Sequence, residues 1–295
     1  LDRIKNLIDK MGAFPRAGYN RVKSTNPVKD PKEIYGLLPG SRSEQYDMVE
    51  IIERLVDEGS FVQYKEGYGK TLLTGYARID GWAVGIVANQ RRVVKTKKGE
   101  MQFGGVIYSD SADKATRFIA NCNQKKIPLV FLQDVTGFMV GSQSEHGGII
   151  KDGAKMVNAV ANSVVPKFTV VIGNSYGAGN YAMCGKAYDP RLIIAWPSAN
   201  LAVMSGNSAA KVLLQIEKAR LEKSGESFDK DKEAALYEKI KQKYDTQISP
   251  YYAAARLWTD AIIDPLHTRQ WISTGIEAAD HAPIEKPFNM GVLQV

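Results

Sequence analysis

The stretch "PKFTVVIGNSYGAGNYAMCG", from Pro166 to Gly185, decides the class of fold. It begins with proline, continues with apolar and β-branched residues, and ends in small residues rich in glycine. Proline is tolerated at the first residue of a strand, and a short apolar run is typical of a buried strand. The glycine-rich end predicts a tight turn into a helix.

Two further stretches open in the same way, "PLVFLQDVTGF" from Pro128 and "PRLIIAWPSANLAV" from Pro190. An amphipathic segment, "GGIIKDGAKMVNAVANSV", separates the first from the stretch that begins at Pro166. Strands that alternate with helices indicate an α/β fold, with a largely parallel sheet covered by helices. Upstream, "TLLTGYARID" and "WAVGIVAN" read as two strands joined by a hairpin turn at Asp80-Gly81.

Helical spacing marks the remaining elements. "YDMVEIIERLVDEGSF" predicts a helix, and so does the segment that follows Ser109, with Ser109 or Ser111 as its cap. Two charged patterns, 209–223 and 231–245, predict helices that project from the body of the protein. The tail after Pro265 is expected to be mostly irregular.

The composition limits the function. The 295 residues are 44% hydrophobic and 24% charged, which is typical of a globular protein with a sizeable core. No apolar run approaches the roughly 20 residues of a membrane span. The net charge is +7, but the cations concentrate in one segment that lacks interleaved aromatic residues: Arg91, Arg92, Lys95, Lys97 and Lys98. We expect that the protein binds neither a membrane nor nucleic acid. The basic segment is expected to be a solvated hairpin loop or a phosphate-attracting arm.

The cysteines and histidines exclude other chemistries. Cys122 and Cys184 are the only cysteines, so a disulfide framework is excluded and a reducing compartment is expected. The three histidines are widely spaced and match no zinc pattern, so we expect no metal. Leu1 is not an initiator methionine and no signal-peptide pattern follows it. We therefore expect the sequence to be part of a longer chain.

The motif G-x-S-x-G around Ser175 matches the nucleophile elbow of hydrolases. Asp264 and His267 would supply the acid and the base, and "HGG" at 146–148 would mimic an oxyanion loop. However, Asp264 and His267 are only three residues apart, and "HGG" opens a helical pattern. A serine hydrolase therefore remains a remote alternative.

The motif G-x-G-x-x-A, from Gly177 to Ala182, matches a dinucleotide-binding turn. Such a site needs an acidic residue at the end of the next strand to hold the ribose. That strand ends "AWPSAN", without an acid, and three residues separate Gly177 from Gly173 at the end of the apolar run. Both observations argue against a dinucleotide.

A third interpretation uses the main chain alone. The loop "DVTGFMVG", which begins at Asp134, closes the preceding strand with a second set of glycines. Because the carboxyl ends of parallel strands meet at one edge, the two loops would lie side by side where α/β proteins bind ligands. Two loops of this kind would aim backbone N–H groups at one oxygen and form an oxyanion hole. The candidate donors are Gly137, Phe138, Gly177, Ala178 and Gly179.

Four long stretches resemble the carboxyltransferase (β) subunit of biotin-dependent acyl-CoA carboxylases, of the 3-methylcrotonoyl-CoA carboxylase type. They are "YDMVEIIERLVDEGSFVQYKEGYGKTLLTGYARIDGWAVGIVAN", "IPLVFLQDVTGFMVG", "HGGIIKDGAKMVNAVANSVVPKFTVVIGNSYGAGNYAMCGKAYDPR" and "YYAAARLWTDAIIDPLHTR". Together they cover most of 46–269. The strings are long and have a low chance probability.

The resemblance implies a crotonase/ClpP-like superhelix of β-β-α units with projecting C-terminal helices. It implies that 46–295 form the C-terminal, carboxybiotin-binding domain of the subunit, after a loop-rich connecting segment at 1–45. The implied reaction is that of a ligase component, in which carboxybiotin and an acyl-CoA give carboxyacyl-CoA and biotin. The residues expected to line the biotin pocket are Thr136, Tyr176, Asn180 and Met183, and Tyr251 and Tyr252 are candidates for a wall of the cleft.

The resemblance also implies partners. The family's active site forms between the N-terminal domain of one subunit, which binds the acyl-CoA, and the C-terminal domain of another. We therefore expect an N-terminal domain, a biotin carboxylase and biotin carrier, a homo-oligomer, little activity from this chain alone, and a location in the cytoplasm or mitochondrial matrix. The long basic insertion "QRRVVKTKKGEMQFGGVIY" departs from the family and leaves the substrate open. A decarboxylase of the glutaconyl-CoA type and a non-catalytic interaction module remain alternatives.

Overall fold

A computed structural model of the chain describes residues 1–12, 14–41, 44–224 and 229–291. Twelve strands lie in these ranges: β1 (Val62–Gln63), β2 (Leu72–Ile79), β3 (Trp82–Asn89), β4 (Val94–Lys95), β5 (Met101–Gln102), β6 (Val106–Ile107), β7 (Leu129–Val135), β8 (Gly137–Phe138), β9 (Lys167–Tyr176), β10 (Leu192–Ala195), β11 (Asn200–Ala202) and β12 (Ala261–Ile262).

Eleven α-helices lie in the same ranges: α1 (Asp2–Met11), α2 (Ile34–Leu37), α3 (Met48–Ile52), α4 (Ser109–Gln124), α5 (Ser142–His146), α6 (Ile149–Ala161), α7 (Gly177–Ala182), α8 (Gly206–Ser224), α9 (Lys230–Gln247), α10 (Pro250–Ala254) and α11 (Thr268–Asp280). Three short 3₁₀ turns accompany them, Pro31–Glu33, Lys186–Tyr188 and Pro265–His267.

An eight-stranded sheet forms the centre, in the order β1-β2-β3-β7-β9-β10-β12, with β11 also paired to β9. The strands from β3 to β12 in this order are mutually parallel, which confirms the predicted largely parallel sheet. β2 and β3 form the predicted antiparallel hairpin, with Ile79 opposite Trp82 across Asp80-Gly81. Both turn residues have positive φ, as this hairpin turn requires.

The strand β7 shows why the sheet is buried on both faces. Val130 and Leu132 pack into one core cluster with Ile272 of α11, whereas Leu129 and Phe131 pack into a second cluster with residues of α4 and α6. Because side chains alternate across a strand, an apolar run without polar interruption fits a sheet that is covered on both sides. The predicted α/β layering is therefore confirmed.

The first 45 residues contain more packed structure than their loop-rich composition predicts. Tyr19 and Ile34 lie in the same core cluster as β2 and β3. The carboxylate of Asp280 at the end of α11 accepts hydrogen bonds from the N–H groups of Gly18 (2.8 Å) and Tyr19 (3.0 Å). Helix α1, in contrast, buries none of its side chains. The predicted boundary between 1–45 and 46–295 stays a prediction.

Two local predictions are wrong. The tail after Pro265 is not mostly irregular, because α11 occupies thirteen of its residues. Ile272 and Ile276 are its fully buried apolar anchors, and the serine, threonine and glycine between them obscure the helical period. The helix α4 begins after Tyr108 rather than at a serine cap, although the Ser111 hydroxyl accepts a hydrogen bond from the Tyr108 N–H at 2.9 Å.

The helices α8 and α9 occupy the two predicted charged segments. Most of their described side chains are exposed. Lys218 of α8 pairs with Glu233 of α9 at 2.6 Å, and the Tyr237 hydroxyl donates to Asn207 at 3.3 Å. Over the ranges that the structure describes, no helix combines the length and apolarity that crossing a bilayer demands.

Candidate functional site

The two predicted glycine loops meet at the carboxyl edge of the sheet. β7 and β9 are parallel neighbours, and their loops emerge after Val135 and Tyr176. A Cβ on Gly179 would stand 2.6 Å from Cγ2 of Val135 and 3.2 Å from Cα of Gly137. Real Cβ atoms essentially never come as close to another atom as 2.6 Å, so an added methyl group would have to displace Val135, and glycine is the residue that fits this contact between the loops. The predicted proximity of the loops is confirmed.

The first loop presents its backbone at Gly137. This residue has a φ of +146°, in the region that favours glycine, and no atom lies within 4 Å of the position a Cβ would take. The N–H groups on either side are fixed, because Thr136 donates to the Gly105 carbonyl at 2.7 Å and Met139 to the Ile107 carbonyl at 2.9 Å. A glycine therefore faces open space on a loop that its neighbours hold in place.

Phe138 anchors the same loop from behind. It pairs with Ile107 in the short parallel ladder between β6 and β8, so the predicted glycine loop contains a strand of its own. A Cβ on Gly153 of α6 would stand 2.8 Å from the Phe138 ring, so the ring packs closely on that helix. The side chain of Phe138 thus orients the loop, and its role as an amide donor stays a prediction.

The second loop leads directly into α7. Gly177 is its first residue, with a left-handed φ of +51°, and Ala178 and Gly179 complete the first three positions. The first N–H groups of an α-helix have no partner inside the helix and carry partial positive charge. Gly177, Ala178 and Gly179 therefore supply the helix-start amides, and Gly179 makes the contact with the first loop at Gly137.

Ser175 is not placed as a nucleophile. Its side chain is 1% exposed, donates to Oε1 of Gln133 at 2.6 Å and accepts from Nδ2 of Asn180 at 2.7 Å. In a nucleophile elbow, the serine hydroxyl donates to a histidine, which acts as the base. His267 instead lines a separate cavity with Phe168 and Trp271. The serine hydrolase interpretation is therefore wrong.

Asp264, the acid of the predicted triad, also has a different hydrogen-bond partner. The carboxylate of Asp264 accepts a hydrogen bond from the Tyr35 hydroxyl at 2.5 Å, and this bond and one from the backbone of Leu266 lower the pKa of Asp264. The two thiols offer no alternative nucleophile, because burial raises the pKa of Cys122 to about 12 and that of Cys184 to about 11. Both thiols stay protonated near neutral pH, so neither supplies a thiolate.

The four predicted pocket residues have different environments. Thr136 is exposed beside Gly137, and Asn180 is half-buried on α7. Tyr176 is buried, and its hydroxyl accepts a hydrogen bond from Asn200 at 3.4 Å. The side chain of Met183 is fully buried in the core cluster behind the loops. Thr136 and Asn180 are thus the two of the four that reach the surface of the site.

A cavity of about 520 Å³ opens beside the second loop. It includes Gly177 and Asn180, and Tyr252 forms part of its wall, whereas Tyr251 is largely exposed. The sequence did not identify the other aromatic residues of the wall, because they come from α7, from α9 and from the segment that follows α10: Tyr181, Tyr244 and Trp258. These segments converge only in the folded protein.

A buried ionic cluster supports both loops from behind. The carboxylate of Asp134 accepts hydrogen bonds from the Tyr46 hydroxyl (2.8 Å) and the Asn174 N–H (2.8 Å), and it lies 3.1 Å from Nε of Arg91. Gly173 makes room for it, since a Cβ there would stand 2.4 Å from the carboxyl carbon. Burial, together with the charge of Asp134, raises the pKa of Tyr46 well above its usual value.

Arg91 therefore does not belong to an exposed basic arm. Its neighbour Arg92 forms an ion pair with Asp47 at 3.0 Å. The remaining basic residues lie on or beside the exposed β4–β5 hairpin, which agrees with the solvated-hairpin interpretation. In the part of the chain that the structure covers, no group of three or more His, Cys, Asp or Glu side chains is arranged to hold a metal ion.

Comparison with known proteins gives a single family. Residues 2–290 match the family model described as the carboxyl transferase domain. The chain belongs to the carboxyl transferase domain family. This carboxyl transferase domain is 43% identical over 283 residues to the biotin-dependent 3-methylcrotonyl-coenzyme A carboxylase beta1 subunit of Mycobacterium tuberculosis, covering 96% of this chain and 51% of that protein. It is 42% identical to the mitochondrial methylcrotonoyl-CoA carboxylase beta chain of Arabidopsis thaliana, covering 96% and 46% respectively.

Solved structures agree on the fold of the carboxyl transferase domain. The beta subunit of Pseudomonas aeruginosa geranyl-CoA carboxylase superposes with a TM-score of 0.79 and 36% identity, covering 99% of this chain and 52% of that one. The transcarboxylase 12S subunit superposes with a TM-score of 0.78 and 34% identity, covering 97% of this chain and 52% of that one. The predicted crotonase-like fold and the predicted family are confirmed. The chain spans about half the length of the relatives it matches.

Proposed function

We propose that this chain provides the carboxybiotin-binding half of a carboxyltransferase site in a biotin-dependent acyl-CoA carboxylase. The acyl-CoA we propose is methylcrotonoyl-CoA or a related compound, because relatives at 42% and 43% identity carry that name. We propose an N-terminal domain of the same family, a biotin carboxylase and a biotin carrier as partners. Assembly as a homo-oligomer is proposed because the similar transcarboxylase 12S subunit forms a hexamer. The location is then the cytoplasm or the mitochondrial matrix.

The approach of Gly179 to Gly137 carries this proposal. When carboxybiotin releases CO2, the N–C bond breaks and its electron pair leaves negative charge on the ureido oxygen. Backbone N–H groups that are already aimed at that oxygen stabilise the charge without reorganising. The amides of Gly137 and Phe138 on one loop and of Gly177, Ala178 and Gly179 on the other are the donors we propose.

The fit of the site to this chemistry rests on its backbone and its open space. Gly137 and Gly177 both have positive φ, and no atom occupies the space in front of Gly137. A ureido ring is flat, so it approaches such a surface without meeting a side chain. Thr136 and Asn180 flank the site, and the cavity lined by Tyr252 gives a place for the apolar part of biotin.

The test uses the full-length protein together with its biotinylated carrier subunit. We expect ATP-dependent incorporation of labelled bicarbonate into a panel of acyl-CoAs that includes methylcrotonoyl-CoA. Ala178→Pro removes one N–H, whereas Ala178→Gly keeps it and serves as the matched control. We expect Ala178→Pro to lower the rate by about a hundredfold, the typical cost of losing one oxyanion donor, and Ala178→Gly to retain most of it. Wild-type rates in a folded Ala178→Pro variant would contradict the assignment of this amide.

A further inference from the structure

Ser175, which the motif presents as a nucleophile, is the middle link of a buried polar chain beneath α7. Nδ2 of Asn180 donates to Oγ of Ser175 at 2.7 Å, and Oγ donates to Oε1 of Gln133 at 2.6 Å. Nε2 of Gln133 then donates to the Met183 carbonyl at 2.6 Å. The chain thus joins β7, β9 and α7 by three short hydrogen bonds.

The direction of every hydrogen bond in this chain is determined. Because a carbonyl only accepts, the Gln133 group that faces Met183 is the NH₂. The other end of the Gln133 amide is therefore an oxygen, and the Ser175 hydroxyl must spend its single proton on it. Ser175 can then only accept from Asn180, which must present its own NH₂. The hydroxyl has no proton left to give to a base.

These hydrogen bonds stabilise α7, a helix that is too short to be stable by itself. α7 has six residues, and a helix of that length is not stable without tertiary contacts. Asn180 ties its middle to β9 through Ser175, and Gln133 ties the Met183 carbonyl at its end to β7. The orientation of the amides at its start depends on these two ties and on the packing of Gly179 against Val135.

A shift in the register between β7 and β9 brings the hydrogen-bonded residues together. The β7–β9 ladder is regular from Leu129 to Gln133, which pairs with Val171, and it then shifts so that Val135 pairs with Ser175. Two extra residues of β9 are therefore accommodated, and Ser175 comes within reach of the Gln133 amide. Gln133 is 0% exposed and Ser175 is 1% exposed, so each unpaired polar atom would carry a full desolvation cost.

We propose that Gln133 and Ser175 are positioning residues that orient the α7 amides for carboxyl transfer. This inference rests on the proposed function, since it assigns these residues to the site described there. It follows that breaking these hydrogen bonds lowers the rate of transfer more than it weakens the binding of acyl-CoA, because the proposed function assigns acyl-CoA binding to another domain. A misplacement of about 1 Å in a preorganised site costs on the order of a hundredfold in rate.

The test is a double-mutant cycle in the full-length protein with its biotinylated partner. Ser175→Ala and Gln133→Met each remove one polar side chain of the network and change the buried volume little. We expect each to lower kcat by about tenfold to a hundredfold with KM for the acyl-CoA within about twofold, and the double variant to be no worse than the poorer single variant. Hydrogen exchange at the amides of 177–179 should accelerate in both single variants.

Thr116→Val is the matched control, since it also removes a fully buried hydroxyl, one that donates to the Ala112 carbonyl of α4 at 2.8 Å. It should leave kcat and the exchange at α7 unchanged. Wild-type kcat in folded Ser175→Ala and Gln133→Met variants overturns the inference and leaves the proposed function standing. Loss of all activity in Ser175→Ala with a normal Gln133→Met variant also overturns it, in favour of a nucleophile. An inactive wild-type protein would instead refute the proposed function.

Discussion

Gly137 and Gly179 come from different strand units, yet the Cα of Gly137 lies 3.2 Å from the position that a Cβ on Gly179 would occupy. Val135 closes the same contact, with Cγ2 at 2.6 Å from that position. The main chains of the two loops therefore touch without an intervening side chain. This contact explains why glycine is needed at Gly179 even though its backbone conformation is helical.

Gly179→Ala tests the contact between the loops. The added methyl group must displace Val135 or Gly137, so we expect transfer to fall by about tenfold to a hundredfold and the free energy of unfolding to fall by about 1–3 kcal/mol. Steady-state rates and urea unfolding of the same preparation measure both effects. Gly36→Ala is the control, since no atom lies within 4 Å of the added group. Full activity in Gly179→Ala would show that the loops do not act together.

Asp134→Ala tests whether the buried ionic cluster supports the loops. The substitution removes the buried carboxylate that pairs with Arg91 and accepts from the Tyr46 hydroxyl, so we expect a loss of about 3–5 kcal/mol in the free energy of unfolding. Tyr46→Phe removes a single hydrogen bond and should cost only about 1–3 kcal/mol. Urea unfolding measures both, and equal stability of Asp134→Ala and wild type would refute the role of the cluster.

The glycine loops and the order of the elements could be predicted from the sequence because both depend on local patterns. The apolar runs of β7 and β9 indicate buried parallel strands, and Asp80-Gly81 indicates a hairpin. The aromatic wall could not be predicted, because Tyr244 and Trp258 reach the cavity only through the packing of α9 and α10. The buried ion pair of Arg91 could not be predicted for a similar reason. Its partner Asp134 lies 43 positions away in the chain, whereas the cations that adjoin it suggest an exposed patch.

The basic hairpin gives a prediction about substrate binding. Arg91 and Arg92 pair with carboxylates, so Lys95, Lys97 and Lys98 are the cations left for a phosphate. Because these three are exposed, their attraction for an anion is screened within about 8 Å at physiological salt. Replacing all three by glutamine should therefore change KM for acyl-CoA by less than about twofold at that ionic strength. A tenfold rise in KM would instead identify the hairpin as a phosphate-binding arm.

Lys114 of α4 predicts a pH dependence of stability. Its side chain is 2% exposed, and burial lowers its pKa from 10.5 to about 8, although Asp110 and Glu66 oppose the shift. Below pH 8 the amine is charged in both states, and the folded state carries the cost of desolvation. Between pH 8 and 10.5 the unfolded state binds more protons, so the contribution of Lys114 to the free energy of unfolding rises with pH.

Lys114→Met removes the buried charge at every pH and isolates this contribution. We expect the variant to be more stable than wild type at pH 7, by an amount that shrinks as the pH rises from 8 towards 10.5. The slope of the difference should approach about 1.4 kcal/mol per pH unit within that window. Other groups that titrate there cancel, because both proteins contain them. A difference in urea midpoints that stays constant between pH 7 and pH 9.5 would mean that Lys114 keeps its proton in the folded protein.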